Sequence, residues 1–257
     1  MKMRLNRLGH ERGLSLFTNS RWFTTDAAKR GRRIGTVPGL LTGVLCLLFL
    51  ISCTPKRVEI PSMEGVALKE RLSGLGEIIS IEAVLEVDYE KSGGIMRGDG
   101  ALSVSEDNLT LRMYYHGFMV GEITEERGIV KSNPKLNRTK SAILVDGLRN
   151  GFLWWDIKDY TIEEEDGAYI LKNYIRRIRV DKKTLLPVKQ TVELESGENL
   201  DIYYDSPAKA VEDEEGTIGR AAVLTIGDRP LWYQSGLKIE LGKNTVKVKV
   251  KSYGAFR

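Results

Sequence analysis

From Ile81 onward the chain alternates. Ile81, Ala83, Leu85, Val87 and Tyr89 fall on one side of a two-residue period, with Glu82, Val84, Glu86 and Asp88 between them. Such a period gives a strand one apolar face and one largely wet face. The pattern recurs after Ser92-Gly93-Gly94 in a strand reaching Val104, and after Asp107-Asn108 in Leu109, Leu111, Met113 and Tyr115. It recurs again after His116-Gly117 in residues 118–124, and once more in residues 129–132. Strands at this spacing, joined by Gly, Asn and Asp turns, predict an antiparallel meander. A second run starts near residue 169. Arg176, Ile178 and Val180 alternate with Ile175, Arg177 and Arg179 up to a turn at Asp181. Val188, Gln190, Val192 and Leu194 then pair with Leu200, Ile202 and Tyr204 across Ser196-Gly197-Glu198. Three last strands are expected at 221–226, 231–241 and 245–253.

Two stretches follow a helical period instead. Val66, Leu68, Leu72, Leu75, Ile78 and Ile79 approximate one apolar stripe, with Ser62 as a candidate N-cap. Residues 139–155 form the second, with Ala142, Ile143, Val145, Leu148, Phe152 and Trp155 roughly on one side. Gly147 and Gly151 weaken that helix enough to split it into two short pieces. Residues 205–219 are acidic and poor in apolar side chains, which predicts a surface insertion. With no βαβ alternation, the expected fold is α+β: a single curved antiparallel sheet, an open half-barrel of about ten or eleven strands, covered by two or three helices. That domain spans residues 62–257.

The first 52 residues read differently. Val37 to Ile51 is an apolar run of 15 residues behind Lys29-Arg30-Gly31-Arg32-Arg33. A spanning helix needs about 20 apolar residues, so the run fits a signal segment better. It ends on Leu50-Ile51-Ser52-Cys53, which resembles a lipobox. Cleavage between Ser52 and Cys53 is expected, with diacylglycerol and an N-acyl chain on Cys53, and residues 53–61 as a tether. Thr54 stands where aspartate favours inner-membrane retention in enteric bacteria, so the expected location is the periplasmic face of the outer membrane.

Charge changes sense once this segment is set apart. Residues 1–52 hold nine Lys and Arg against Glu11 and Asp26, a balance of +7, so the chain total of +4 leaves −3 on the remainder. The basic balance therefore argues nothing for nucleic acid. Of the two cysteines, Cys46 lies inside the apolar run, so the mature chain has no pair to oxidise.

Candidate chemistry is sparse. His116 is the one histidine after the signal, so His-based metal sites and Ser-His-Asp triads are not expected. Glu163-Glu164-Glu165-Asp166 and Glu212-Asp213-Glu214-Glu215 read as exposed acidic turns. No Gly-x-Ser-x-Gly elbow or phosphate loop occurs. The expectation is a protein that is not an enzyme and needs no cofactor beyond its own acyl chains. Two apolar features stand out. Trp154 and Trp155 are adjacent at a helix end, where neighbours cannot face the same way. The turn His116-Gly117-Phe118-Met119 puts Phe118 and Met119 where turn chemistry expects polar residues, which predicts a membrane-contacting tip.

Three stretches carry a family resemblance. Tyr115 to Gly121 is similar to the Pro-Leu-Gly turn after the third strand of LolB, although it reads Gly-Phe-Met here. Arg177-Ile178-Arg179-Val180-Asp181 through Leu194, then Gly197 to Tyr204, is similar to the aspartate-turn hairpin of LolA-like sheets. Leu237 to Leu241 with Val246 to Lys251 is similar to the closing hairpin of LolB. The order of elements over residues 62–253 thus resembles the LolA/LolB-like lipoprotein carriers and receptors. That resemblance implies a monomer whose concave sheet face, under a helical lid, shelters acylated lipoprotein or lipid cargo received from a periplasmic carrier. The expected apolar cavity is lined by Leu85, Val87, Leu111, Met113, Leu148, Trp154 and Trp155. The alternative is a structural or assembly lipoprotein using the same fold as a protein-binding scaffold.

Overall fold

The computed structural model describes residues 60–91, 94–211 and 222–257. The signal segment, Ser52, Cys53 and nearly all of the tether lie outside the described residues, as do positions 212–221.

The alternating stretches form strands close to where the pattern places them. The first meander is β1 (Ser80–Lys91), β2 (Gly94–Ser105), β3 (Asn108–Tyr115), β4 (Phe118–Glu126) and β5 (Ile129–Asn133). A short helix, α1 (Leu68–Leu75), precedes it, and α2 (Arg138–Phe152) follows it. The second meander is β6 (Thr161–Glu165), β7 (Ala168–Lys172), β8 (Arg176–Asp181), β9 (Pro187–Glu193) and β10 (Asn199–Tyr204). Four short strands come next: β11 (Pro207–Lys209), β12 (Thr225–Ile226), β13 (Arg229–Pro230) and β14 (Trp232–Gln234). A long hairpin, β15 (Gly236–Leu241) and β16 (Asn244–Phe256), closes the chain.

Twelve strands make one antiparallel sheet in the order β5-β4-β3-β2-β1-β16-β15-β10-β9-β8-β7-β6. The closing hairpin is thus inserted at the middle, where β16 pairs with β1 from Ser80↔Phe256 to Glu90↔Thr245 and β15 pairs with β10. The outer edges are β5 and β6, so the sheet is open, and α2 joins one edge to the other. Asn137 caps α2, its side chain accepting from Lys140 N at 2.9 Å. Ile143, Val145, Leu148 and Phe152 of α2 are buried in one core with Leu85, Leu111, Ile202, Leu237 and Ile239 of the sheet. The glycines expected to break α2 instead fit it to the sheet. A Cβ on Gly147 would lie 2.7 Å from Ile239 Cγ2, and one on Gly151 2.8 Å from Leu237 Cδ1.

Several expectations are corrected. The large sheet has twelve strands rather than ten or eleven, with two small two-stranded sheets beside it and two helices among the described residues. The first helix starts at Leu68, not Ser62; residues 64–65 form a turn and the N-cap Ala67 makes no side-chain cap bond. Glu163–Glu165 is not a turn but part of edge strand β6, where wet side chains suit an unpaired edge. Residues 207–209 of the expected insertion pair with β14, and Ala210 is buried. The 231–241 run is two strands, because the chain passes at Ser235 from the small sheet to the large one.

Candidate functional site

The β3–β4 hairpin turns through His116 and Gly117, both with positive φ (49° and 80°). That conformation matches the twist of a two-residue hairpin. β4 pairs with β5 only from Glu122 onward, so the hairpin projects past the edge strand. A register shift beside Met113 and Tyr114 leaves Val120 unpaired. The outcome is an apolar tip in solvent. Phe118 is 77% exposed and Met119 59%, with Tyr115 and Val120 also exposed. His116 lies edge-on to Tyr115, ring centroids 4.3 Å apart.

The residues expected around a cavity are brought into one core. Leu85, Leu111 and Leu148 have no accessible surface, and Val87 and Trp154 are buried. Met113 and Trp155 are half-buried against them. No water-sized space adjoins the three leucines, because α2 and the sheet side chains occupy it. Trp154 and Trp155 meet edge-to-face at 5.9 Å, one indole inward and the other towards the surface.

Two arginines hold the lid to the sheet. Arg149 of α2 donates to Ser105 O at 2.6 Å and Glu106 O at 2.5 Å in the β2–β3 turn, and pairs with Glu125 of β4. Arg176 of β8 reaches from the opposite side. It donates to the carbonyls of Trp154 and Asp156 and to Gln190 Oε1, at 3.2 Å for Trp154 and 3.1 Å for Gln190. Burial pushes the Arg176 guanidinium below its usual value, an effect opposed by Tyr204 and Asp156. Arg176 Nε and Gln190 Nε2 have no hydrogen-bond partner among the described residues. In the sequence Arg176 alternates in step with Ile178 and Val180. A cation on the apolar side of a strand was the signal.

A cleft of about 390 Å³ lies past the C-terminal end of α2. Ile78, Leu153, Trp155 and Ile157 line its floor, and Ser105, Glu106, Asp107, Asn108 and Asp156 its wall. Of the expected cavity residues, Trp155 is the one that lines it. The two adjacent isoleucines, expected on the helical stripe, lie beyond the helix, which ends at Leu75. Ile78 is buried and Ile79 is 65% exposed, because neighbours in an extended segment face opposite ways. Among the described residues, no group of three His, Cys, Asp or Glu is placed to hold a metal ion. No described helix is long and apolar enough to cross a membrane.

This is the open, helix-crossed antiparallel sheet implied by the likeness to LolA and LolB. Solved structures similar to it include a LolA superfamily protein from Nitrosomonas europaea, at 12% identity and a TM-score of 0.44, covering 75% of this chain and 94% of that one. A DUF1329 family protein from Desulfovibrio piger is similar at 12% identity and a TM-score of 0.43, covering 77% and 94%. An outer membrane lipoprotein-sorting domain from Vibrio parahaemolyticus is similar at 10% identity and a TM-score of 0.41, covering 73% and 91%. No family model matches the chain, and a search of curated proteins returns no match.

Proposed function

We propose that this protein is an outer-membrane lipoprotein, acylated at Cys53, that handles apolar or acylated cargo at the bilayer without bond chemistry. The observation that supports this reading is the projecting tip, where Phe118, Met119, Tyr115 and Val120 are exposed together. Exposed apolar clusters mark interaction sites. Burying Phe118 and Met119 in lipid contributes roughly 3–6 kcal/mol before ordering costs. A tethered domain meets the bilayer at high effective concentration, so a wedge of this size suffices. Cargo enters only when α2 moves off the sheet, since Leu85, Leu111 and Leu148 have no free surface in the closed form. Each methylene then removed from water contributes about 0.8 kcal/mol, so an acyl chain supplies ample drive.

The test is Phe118→Glu with Met119→Glu. Liposome binding and cargo release should fall. Stability should hold within about 0.5 kcal/mol, because both side chains are exposed. Unchanged liposome binding rejects the tip. A saturable tryptophan fluorescence change on adding a fatty-acyl probe, weakened when α2 is locked, checks cargo entry.

The filled concave face favours a second reading, an assembly scaffold. Mass spectrometry of the mature N-terminus tests acylation for both readings, and Cys53→Ala should release either from the membrane. Loss of a cargo receptor should leave other lipoproteins mislocalised, whereas a scaffold should co-purify with one envelope complex and leave sorting normal.

A further inference from the structure

The cleft past the C-terminal end of α2 lies at the far end of β3 from the tip. Asn108 lines the cleft and Tyr115 opens the tip. The strand between them spans about 24 Å at ~3.4 Å per residue. A surface so placed faces away from whatever the tip touches.

Exposed apolar side chains surround this cleft. Ile79 stands on its wall, 65% exposed. On one side Arg127 N donates to Asp107 O, which seats the β4–β5 turn next to the wall, and Ile129 and Val130, the first residues of β5 after that turn, are exposed. On the other side Lys158 ties the segment after Trp155 to two places. Its ammonium meets Glu106 at 2.7 Å, and its carbonyl accepts from Asn173 Nδ2 at 2.9 Å. The β7–β8 turn is thereby drawn towards the cleft, with Tyr174 96% exposed and Ile175 exposed. Carboxylates stand among these apolar groups. Lys158 pairs with Glu106 and its ammonium also feels Asp107 and Asp156, one cation among three carboxylates, and the Asp107 and Asp156 side chains make no salt bridge among the described residues. An indole beside a floor of buried apolar side chains, rimmed by charge, is the make-up of a protein-binding hot spot. Carboxylates at the rim repel an anionic bilayer and attract cationic side chains.

We propose that this cleft docks a segment of a protein partner that presents a Lys or Arg side chain next to an apolar one. The cation meets Asp107 and Asp156, and the apolar group lies on Trp155 and Ile79. The docking does not depend on the tip reaching a bilayer, so the two surfaces fail separately. If both hold, the molecule bridges a membrane at one end and a protein at the other.

The test uses the full chain in its native envelope, with a photoreactive phenylalanine at Tyr174 or, as a control on the convex face, at Lys249. The expected result is a protein adduct from position 174 and none from 249. Peptide mapping should place the adduct on a partner segment holding Lys or Arg beside an apolar residue. Asp107→Lys should reduce the adduct about tenfold, the scale of one lost favourable contact turned repulsive. Ile79→Glu serves as a second variant on another element, and Phe118→Glu should leave the adduct unchanged. Each variant's melting temperature confirms folding. Lipid adducts, an acidic or uncharged partner segment, an adduct indifferent to Asp107→Lys, or no adduct at position 174 each overturn the proposal.

Discussion

Gly147 sets how closely α2 approaches the sheet. Alanine in its place improves helix propensity by about 1 kcal/mol. Its Cβ, however, would sit 2.7 Å from Ile239 Cγ2, and Ile239 is fully buried with nowhere to turn. Overpacking of this kind costs about 1–3 kcal/mol, so Gly147→Ala should lower the urea midpoint despite the better helix. A raised midpoint would mean that α2 sits farther from β15. Asp146, next in sequence, opposes folding through its charge. Burial raises its pKa above the ordinary carboxylate value, nearby Glu125 adds to the rise, and Arg149 only partly offsets both. A carboxyl whose pKa is higher folded than unfolded destabilises the fold wherever it is ionised. Asp146→Asn should therefore raise stability at pH 7. The gain should fade as pH falls through the folded value towards the unfolded one, near about 3.9. Denaturant melts at pH 7 and pH 4 check both sign and window.

At the scale of elements, legibility followed the strictness of alternation. Ile81, Ala83, Leu85 and Val87 are all buried, and β1 begins one residue before the stretch they define and runs four residues past it, to Lys91. β6 was missed because an edge strand of glutamates carries no apolar alternation; its Glu165 is held by Arg177 and Arg179 from β8, two strands away in the sheet. The tip was legible because apolar residues beside a His-Gly turn conflict with turn chemistry, and they are exposed. The cleft was not, since its walls come from the segment after α1, the β2–β3 turn and the segment after α2, which no local pattern joins. The same long-range assembly makes Arg149 matter. It bonds two carbonyls of the β2–β3 turn and a Glu125 side chain only 9% exposed. Arg149→Met should cost about 2–3 kcal/mol, the scale of hydrogen bonds to charged groups. Glu106→Gln, which removes a salt bridge exposed on both sides, should cost under about 1 kcal/mol. Equal losses would show that α2 is not clamped through Arg149.

For the whole molecule, the sheet's centre is made from its two ends. β1 lies between β2, its neighbour in sequence, and β16, the last strand of the chain. The first meander can pair as it is made, and so can the second. Neither is paired with the other until β15 and β16 fill the gap between β1 and β10, and α2 rests mainly on β15 and β10. Contacts this distant in sequence make folding slow, because loop closure precedes the pairing that rewards it. They also predict a sharp dependence on the C-terminus. A chain ending at Gly242 loses β16 and exposes the facing edges of β1 and β15, including Leu85 and Val87 opposite Val250 and Val248. Such a chain should show no cooperative urea transition, and it should aggregate through its open edges. Adding a peptide of residues 243–257 in trans should restore a transition whose midpoint rises with peptide concentration, as binding to the folded state requires. A truncated chain that melts cooperatively by itself would mean that β1 and β15 can pair directly, and that the closing strand is an addition to the core instead of its centre.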